Sequence, residues 1–131
     1  MMGPHKNLVV WQKAMGFVTL LYKCTQTFPQ CEVFGLVSQM RRAAVSVTSN
    51  IAEGYGRSSN NELVHFLYMS LGSSNELDTQ ITISHELGYL SDGDFQTLDA
   101  MNEDINKMLK SLIFKRTHPQ TTDENLKTIK P

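Results

Sequence analysis

The sequence lacks the features that mark secreted, membrane-spanning and zinc-binding proteins. Its two cysteines, Cys24 and Cys31, do not have C-x-x-C spacing. Free buried thiols in a reducing compartment are therefore expected, rather than a disulfide or a zinc site. No apolar run approaches the ~20 residues that span a bilayer, and the run at 8–11 is too short for a signal peptide. We expect a cytoplasmic protein with no membrane partner.

Catalytic motifs are also missing. The four histidines do not pair with one another or with a cysteine at metal-ligand spacing. No serine stands in a G-x-S-x-G elbow. The segment Gly54-Tyr55-Gly56-Arg57 has neither the G-K-[ST] ending nor the preceding strand of a phosphate-binding loop. The sequence therefore predicts no enzyme activity, no metal and no cofactor.

Charge is sparse and unevenly distributed along the chain. Charged residues make up 19% of the 131 residues, with a net charge of -1, whereas about 25% is usual. Residues 1–61 hold six basic and two acidic side chains, and residues 62–113 hold nine acidic and two basic ones. Two interpretations remain open: ordinary scatter over solvated faces, or a basic face that meets polyanions or the acidic half of a neighbouring subunit.

The apolar residues recur at helical spacing in four segments, which lie at about 8–28, 32–55, 60–88 and 92–115. Ser59 with Glu62 and Ser91 with Asp94 have the spacing of helix-capping residues. Gly88 is suited to end the third segment, because glycine reaches positive φ at low cost. Each segment is therefore predicted to be a helix with a defined start or end.

The predicted fold is all-α. Short connections make consecutive helices antiparallel, so we expect an antiparallel up-down-up-down four-helix bundle over residues 7–116. Residues 1–6 are predicted to be a flexible N-terminus. Residues 117–131 are polar and rich in threonine and lysine, and are predicted to form a disordered tail.

The arginines of the stretch 39–62 are the main candidates for binding. Arg41 and Arg42 point about 100° apart on a helix, so they have different surroundings. One alternative is a salt bridge between one of them and a carboxylate of the third helix, such as Glu76. The other is contact with phosphate, which a guanidinium binds through paired hydrogen bonds. Arg57, in the turn after the second helix, either caps carbonyls or stays free for a ligand.

A few other small, polar and aromatic residues stand at positions where they have a structural or a binding role. Gly72-Ser73-Ser74 lies mid-helix, where it allows either close approach of a neighbouring helix or hydroxyl hydrogen bonds across to it. Asn102 interrupts the apolar line of the fourth helix, which can fix register between helices. Trp11 and Tyr55 either pack at helix ends or stack on bases, as aromatics do in single-strand binders.

Several blocks of the sequence resemble a known family. They are VWQKA at 10–14, FP at 28–29, QxRRA at 39–43 and NIAEG at 50–54. With their flanking residues they resemble the four-helix-bundle proteins called S23 ribosomal proteins, or 23S rRNA intervening-sequence proteins. They are also similar to the accessory variability proteins of diversity-generating retroelements. The resemblance covers residues 8–113, which is most of the chain.

The resemblance implies a bundle that assembles into a pentameric ring. In the retroelement branch a basic ring engages RNA and a reverse transcriptase, which makes Lys13, Arg41, Arg42 and Arg57 the candidate nucleic-acid-binding residues. The first functional hypothesis is a non-enzymatic homo-oligomeric module whose wide apolar faces, on the first and third helices, are buried between subunits. The alternative is an accessory protein that binds RNA or another nucleic acid through a basic patch from the first two helices.

Overall fold

The computed structural model describes residues 3–119, and its long elements there are four α-helices with no strand. The prediction of an all-α fold is therefore confirmed. The helices are α1 (Val9–Thr25), α2 (Ser38–Tyr55), α3 (Asn60–Glu86) and α4 (Asp92–Thr117). Short 3₁₀ turns at Pro4–Asn7 and Gln30–Glu32 and a π-helical turn at Val33–Val37 complete the described chain.

Side-chain caps begin the two longest helices. The Ser59 hydroxyl accepts the backbone N–H of Glu62 at 3.2 Å, and the Ser91 hydroxyl accepts that of Asp94 at 3.1 Å. Each bond satisfies an N–H that has no partner within its helix. Beyond the end of α3, Gly88 has a φ of 79°, which turns the chain toward α4.

One apolar core joins all four helices. Its fully buried members include Leu21 of α1, Met40 and Ile51 of α2, Leu67, Leu77 and Ile81 of α3, and Leu98 and Leu109 of α4. Burying a side chain of this size stabilises the folded state by about 1.5–3 kcal/mol relative to leaving it exposed. The predicted apolar lines of the four segments therefore meet in a single interior.

A polar seam, made by Ser70, Ser73 and Ser74, runs along α3 beside this core. The Ser70 hydroxyl donates to the carbonyl of Val47 at 2.8 Å, and the Ser73 hydroxyl donates to the hydroxyl of Ser46 at 2.9 Å. On the other side, Ser74 donates to the Asn102 side-chain oxygen at 2.9 Å, and the Asn102 amide returns a bond to the Ser74 carbonyl at 3.0 Å. The mid-helix serines thus bond to both neighbouring helices.

The contacts between consecutive helices run in opposite order along the chain. Ser70 reaches Val47, whereas Ser84, further along α3, reaches the earlier residue Met40. Between α3 and α4, the amide of Asn60 donates to the carbonyl of Arg116, while His85 meets Asp92. The start of α3 therefore lies beside the end of α4, and the end of α3 lies beside the start of α4.

The largest departure from the predicted helix limits is at the second helix. It was expected from residue 32, but α2 begins at Ser38. Gly35 has non-helical φ and ψ of -103° and -109°, and the Glu32 carboxylate accepts the N–H of Leu36 at 3.4 Å. Tyr89, from the α3–α4 connection, donates to the same carboxylate at 3.1 Å, so a tertiary contact holds this segment.

The other limits differ by a few residues. Helix α1 ends at Thr25 rather than 28, because its chain leaves the helix before Pro29; α3 ends at Glu86 rather than 88, and α4 continues to Thr117. The predicted flexible N-terminus contains the 3₁₀ turn at Pro4–Asn7. Most of the predicted tail, residues 120–131, lies outside the described residues.

Gly54 brings α2 and α3 into close contact near the turn that joins them. It lies in the last turn of α2, which ends at Tyr55 as predicted. A Cβ atom at this position would lie 2.9 Å from the Cβ of Phe66 and 3.3 Å from the carbonyl oxygen of Leu63. Glycine is therefore needed here for close approach.

Replacing Gly54 by alanine is expected to lower the free energy of unfolding by about 1–3 kcal/mol, because the new methyl group overpacks the α2–α3 contact. Gly72→Ala is the matched control, since a Cβ there meets no atom within 4 Å. Because alanine has a better helix propensity than glycine, Gly72→Ala should raise the free energy of unfolding by about 0.5–1 kcal/mol. Urea unfolding at one protein concentration measures both, and equal stability of the two variants would contradict the close packing.

Candidate nucleic-acid interface

The four candidate residues do not form one patch. Lys13 lies on the α1–α4 side of the bundle, where it pairs with Asp104. Arg41 and Arg57 lie near opposite ends of α2, roughly 24 Å apart along the helix axis. Lys13, Arg41 and Arg57 therefore lie on different parts of the surface, and each candidate residue has its own surroundings.

Lys13 is engaged in an ion pair between helices. Its Nζ lies 2.5 Å from the Asp104 carboxylate, and both side chains are about half exposed. An exposed pair of this kind contributes at most about 1 kcal/mol to stability, because water and salt screen it. The charge of Lys13 is thus largely offset on the surface where it lies.

Arg41 binds the end of α1. Its Nε donates to the Thr25 hydroxyl at 3.0 Å and one Nη donates to the Tyr22 carbonyl at 3.1 Å. Its guanidinium carbon also lies 4.4 Å from the centre of the Tyr22 ring. A cation at this position satisfies carbonyls at the negative end of a helix. Arg41 is therefore a structural residue that joins α2 to α1.

Arg42 is exposed and has no hydrogen-bond or ion-pair partner in the part of the chain that the structure describes. The expected salt bridge to Glu76 is formed by neither arginine among residues 3–119. The reason is that Arg41 turns toward α1, whereas Glu76 lies on the exposed side of α3. Arg42 is left as an uncompensated charge.

Arg57 lies in the α2–α3 turn and shares a cleft with Arg116 from the end of α4. The cleft has a volume of about 380 Å³. Arg57 lies 4.9 Å from the centre of the Phe66 ring and 3.7 Å from the Glu53 carboxylate. Arg116 lies 5.7 Å from the centre of the Tyr55 ring. Two guanidiniums on different elements thus face one hollow.

Basic residues gather at this end of the bundle. We define the basic end as Lys6, Arg57, Lys115 and Arg116, which lie at the start of α1, the α2–α3 turn and the end of α4. The segments 3–9, 54–62 and 111–119 contain only one acid, Glu62. Sequence reasoning missed Lys115 and Arg116 as partners of Arg57. The predicted topology was the available signal, because it places the end of the fourth helix beside that turn.

The aromatic candidates pack inside the protein. Trp11 and Tyr55 are half-buried and contact the core, and Trp11 meets His5 edge to face with ring centres 5.0 Å apart. Of the two roles considered for these residues, packing against the protein is the one that both have in this structure.

The cysteines are both free, but they are less buried than expected. Cys24 is half-buried and Cys31 is exposed. Burial raises the pKa of Cys24, and the neighbouring Asp94 charge raises it further. A thiol with a raised pKa is a weaker nucleophile at neutral pH because less of it is ionised.

No group of three or more histidine, cysteine or acidic residues within residues 3–119 is placed to hold a metal ion. None of the helices described there is both long enough and apolar enough to cross a membrane.

A family model and a solved structure are similar to this chain. The family model described as 23S rRNA-intervening sequence protein matches residues 6–111. A crystal structure of a protein of unknown function, from the S23 ribosomal protein family of Bacteroides thetaiotaomicron VPI-5482, has a similar fold with a TM-score of 0.73. The two sequences are 23% identical, and the match covers 80% of this chain and 98% of the solved chain. No curated protein sequence matches.

Replacing Arg41 by alanine is expected to lower the free energy of unfolding by about 1–3 kcal/mol, because two hydrogen bonds from a charged group are lost and the α1 carbonyl loses its partner. Lys23→Ala, at an exposed position of α1, should change it by less than about 0.5 kcal/mol. Urea unfolding measures both. If the two variants are equally stable, Arg41 does not join the helices.

Proposed function

Because the chain belongs to the 23S rRNA-intervening sequence protein family, we propose that it is a non-enzymatic module of the cytoplasm that assembles with copies of itself. The protomer is an antiparallel up-down-up-down four-helix bundle, supported by the opposite order of the contacts between consecutive helices. The assembly is a ring of five, which rests on the family resemblance.

The observation that carries this proposal is the amount of apolar surface left outside the core. Among residues 3–119, five large apolar side chains are more than half exposed: Val9, Phe34, Tyr68, Leu87 and Phe114. On α3, Met69 and Ile83 add further exposed apolar area. Exposed apolar side chains of this size are suited to protein–protein contacts. Copies of the same chain are the partner that the family resemblance favours.

The mass in solution tests this proposal. Light scattering on the purified full chain should give a multiple of the protomer mass of 14.8 kDa, with five copies as the expected number. The expected assembly persists on dilution into the micromolar range, because it buries apolar surface. A monomer at all concentrations would contradict self-assembly, and a different multiple would contradict the ring of five.

A second candidate function is RNA binding, and the cleft between Arg57 and Arg116 favours it. Both guanidiniums line the same hollow, together with the hydroxyls of Ser58 and Ser59 and the side chain of Asn60. Guanidiniums bind phosphate oxygens through paired hydrogen bonds. The proposed interface is therefore the basic end, with Arg57 and Arg116 as its centre, rather than a patch on the first two helices.

The double variant Arg57→Ala/Arg116→Ala is expected to bind labelled single-stranded RNA more weakly. The slope of the logarithm of its binding constant against the logarithm of the salt concentration should fall in magnitude by about 1–2. The reason is that each phosphate contact releases somewhat less than one counterion from the RNA, and the variant lacks two such contacts. Titrations at two salt concentrations measure this, with Lys23→Ala/Lys107→Ala as the control that removes two charges elsewhere. Unchanged affinity, or no RNA binding at low salt, would contradict the second function.

A further inference from the structure

Among residues 3–119, the most exposed large apolar side chain lies on the rim of an open groove. The groove lies between the end of α1, the 30–37 segment and the start of α2, and its volume is about 600 Å³. Phe34, on the rim, is 94% exposed. The floor includes Phe28, Val33 and Val37. We call this surface the Phe34 groove.

The Phe34 groove is positively charged. Arg41 and Arg42 line it, and none of the residues that line it is acidic. Arg41 is bound to the end of α1, whereas Arg42 has no partner among residues 3–119. A partner that docks here is therefore expected to bring a carboxylate for Arg42.

A surface with the opposite charge lies between α3 and α4. Asp78, Asp99 and Glu103 line a hollow of about 330 Å³ together with one cation, Lys110. Because acids outnumber the cation in its lining, we call it the acidic hollow. Partial burial raises the pKa of Asp99, and the charges of Asp78 and Glu103 raise it further. Glu103 pairs with Lys107, but no ion pair compensates Asp78 or Asp99 in the described part of the chain.

The two surfaces cannot meet within one protomer. The Phe34 groove lies between α1 and α2, and the acidic hollow lies between α3 and α4. Because α1 contacts α2 and α4, while α3 contacts α2 and α4, these two grooves are on opposite sides of the bundle. Complementary surfaces on opposite sides can meet only between copies, in a head-to-tail contact that repeats from one copy to the next.

We infer that a second copy of this chain docks on the Phe34 groove with its α3–α4 face, so that Arg42 meets the acidic hollow and Phe34 is covered. The inference rests on the proposed self-assembly and names the surfaces that form it. In this contact the positive charge of Arg42 faces the acids of the hollow. The contact is heterologous, because each copy uses its groove toward one neighbour and its hollow toward the other. A closed ring results when the rotation between copies permits it.

Charge reversal on either surface tests this inference. Arg42→Glu places an acid against the hollow, and Asp78→Arg places a cation against the groove. Both positions are exposed, so each variant should fold, which circular dichroism checks. Each variant alone is expected to be a monomer in light scattering, whereas the wild-type chain assembles. Lys23→Glu and Glu86→Arg, at exposed positions of α1 and α3 outside both surfaces, are the matched controls and should assemble like the wild type.

Mixing the two variants gives the decisive readout. The Asp78→Arg copy keeps an intact Phe34 groove, and the Arg42→Glu copy keeps an intact acidic hollow. An equimolar mixture should therefore assemble, because the intact groove of one variant takes the intact hollow of the other, and the two altered surfaces carry opposite charges. If the variants assemble like the wild type, or if the mixture stays monomeric, the inferred contact is wrong. If the wild-type chain is a monomer, the proposed self-assembly fails as well.

Phe34→Ser probes the apolar part of the contact without changing charge. Because Phe34 makes little contact with its own protomer, the variant should keep the stability of the fold. It is expected to raise the concentration needed for assembly at least tenfold. Assembly at the wild-type concentration would show that Phe34 is not covered in the contact, and would overturn that part of the inference.

Discussion

The hydrogen bonds that α3 makes with both of its neighbours are the constraint on which the rest of the structure depends. Ser70 and Ser74 are fully buried, and their hydroxyls have partners on α2 and α4 respectively. Sliding α3 by one turn would leave these groups unpaired, at a cost of about 1–3 kcal/mol for each. Apolar contacts are non-directional, so the core alone does not impose this penalty. The polar seam therefore selects one register.

That register determines which charged residues become neighbours. With α3 held between α2 and α4, the Asn60 side chain reaches the carbonyl of Arg116. The end of α4 consequently lies beside the α2–α3 turn, and Arg116 faces the same cleft as Arg57. The same arrangement separates Arg57 from Arg41, which is bound to α1. The two functional hypotheses therefore use different surfaces: the basic end for RNA, and the Phe34 groove with the acidic hollow for self-assembly.

Much of the helical structure follows from local chemistry, and the sequence predicted it. Apolar periodicity identified four helices, and the caps at Ser59 and Ser91 bond to N–H groups only three residues away. The start of α2 was not predictable in this way. Glu32 is held by Tyr89, a residue far along the chain, and the 30–37 segment that carries Phe34 leaves the helical pattern despite its apolar spacing.

The candidate binding residues show the same division. Their types and spacing were legible in the sequence, as was the family to which the chain belongs, because both depend on the order of residues alone. Their partners were not. Arg41, Arg42 and Arg57 stand within one short stretch, yet one binds α1, one is unpaired among the described residues, and one shares a cleft with the end of α4. Folding made that distinction, because the partner of a long charged side chain is whichever distant segment packing brings within about 3–4 Å of it.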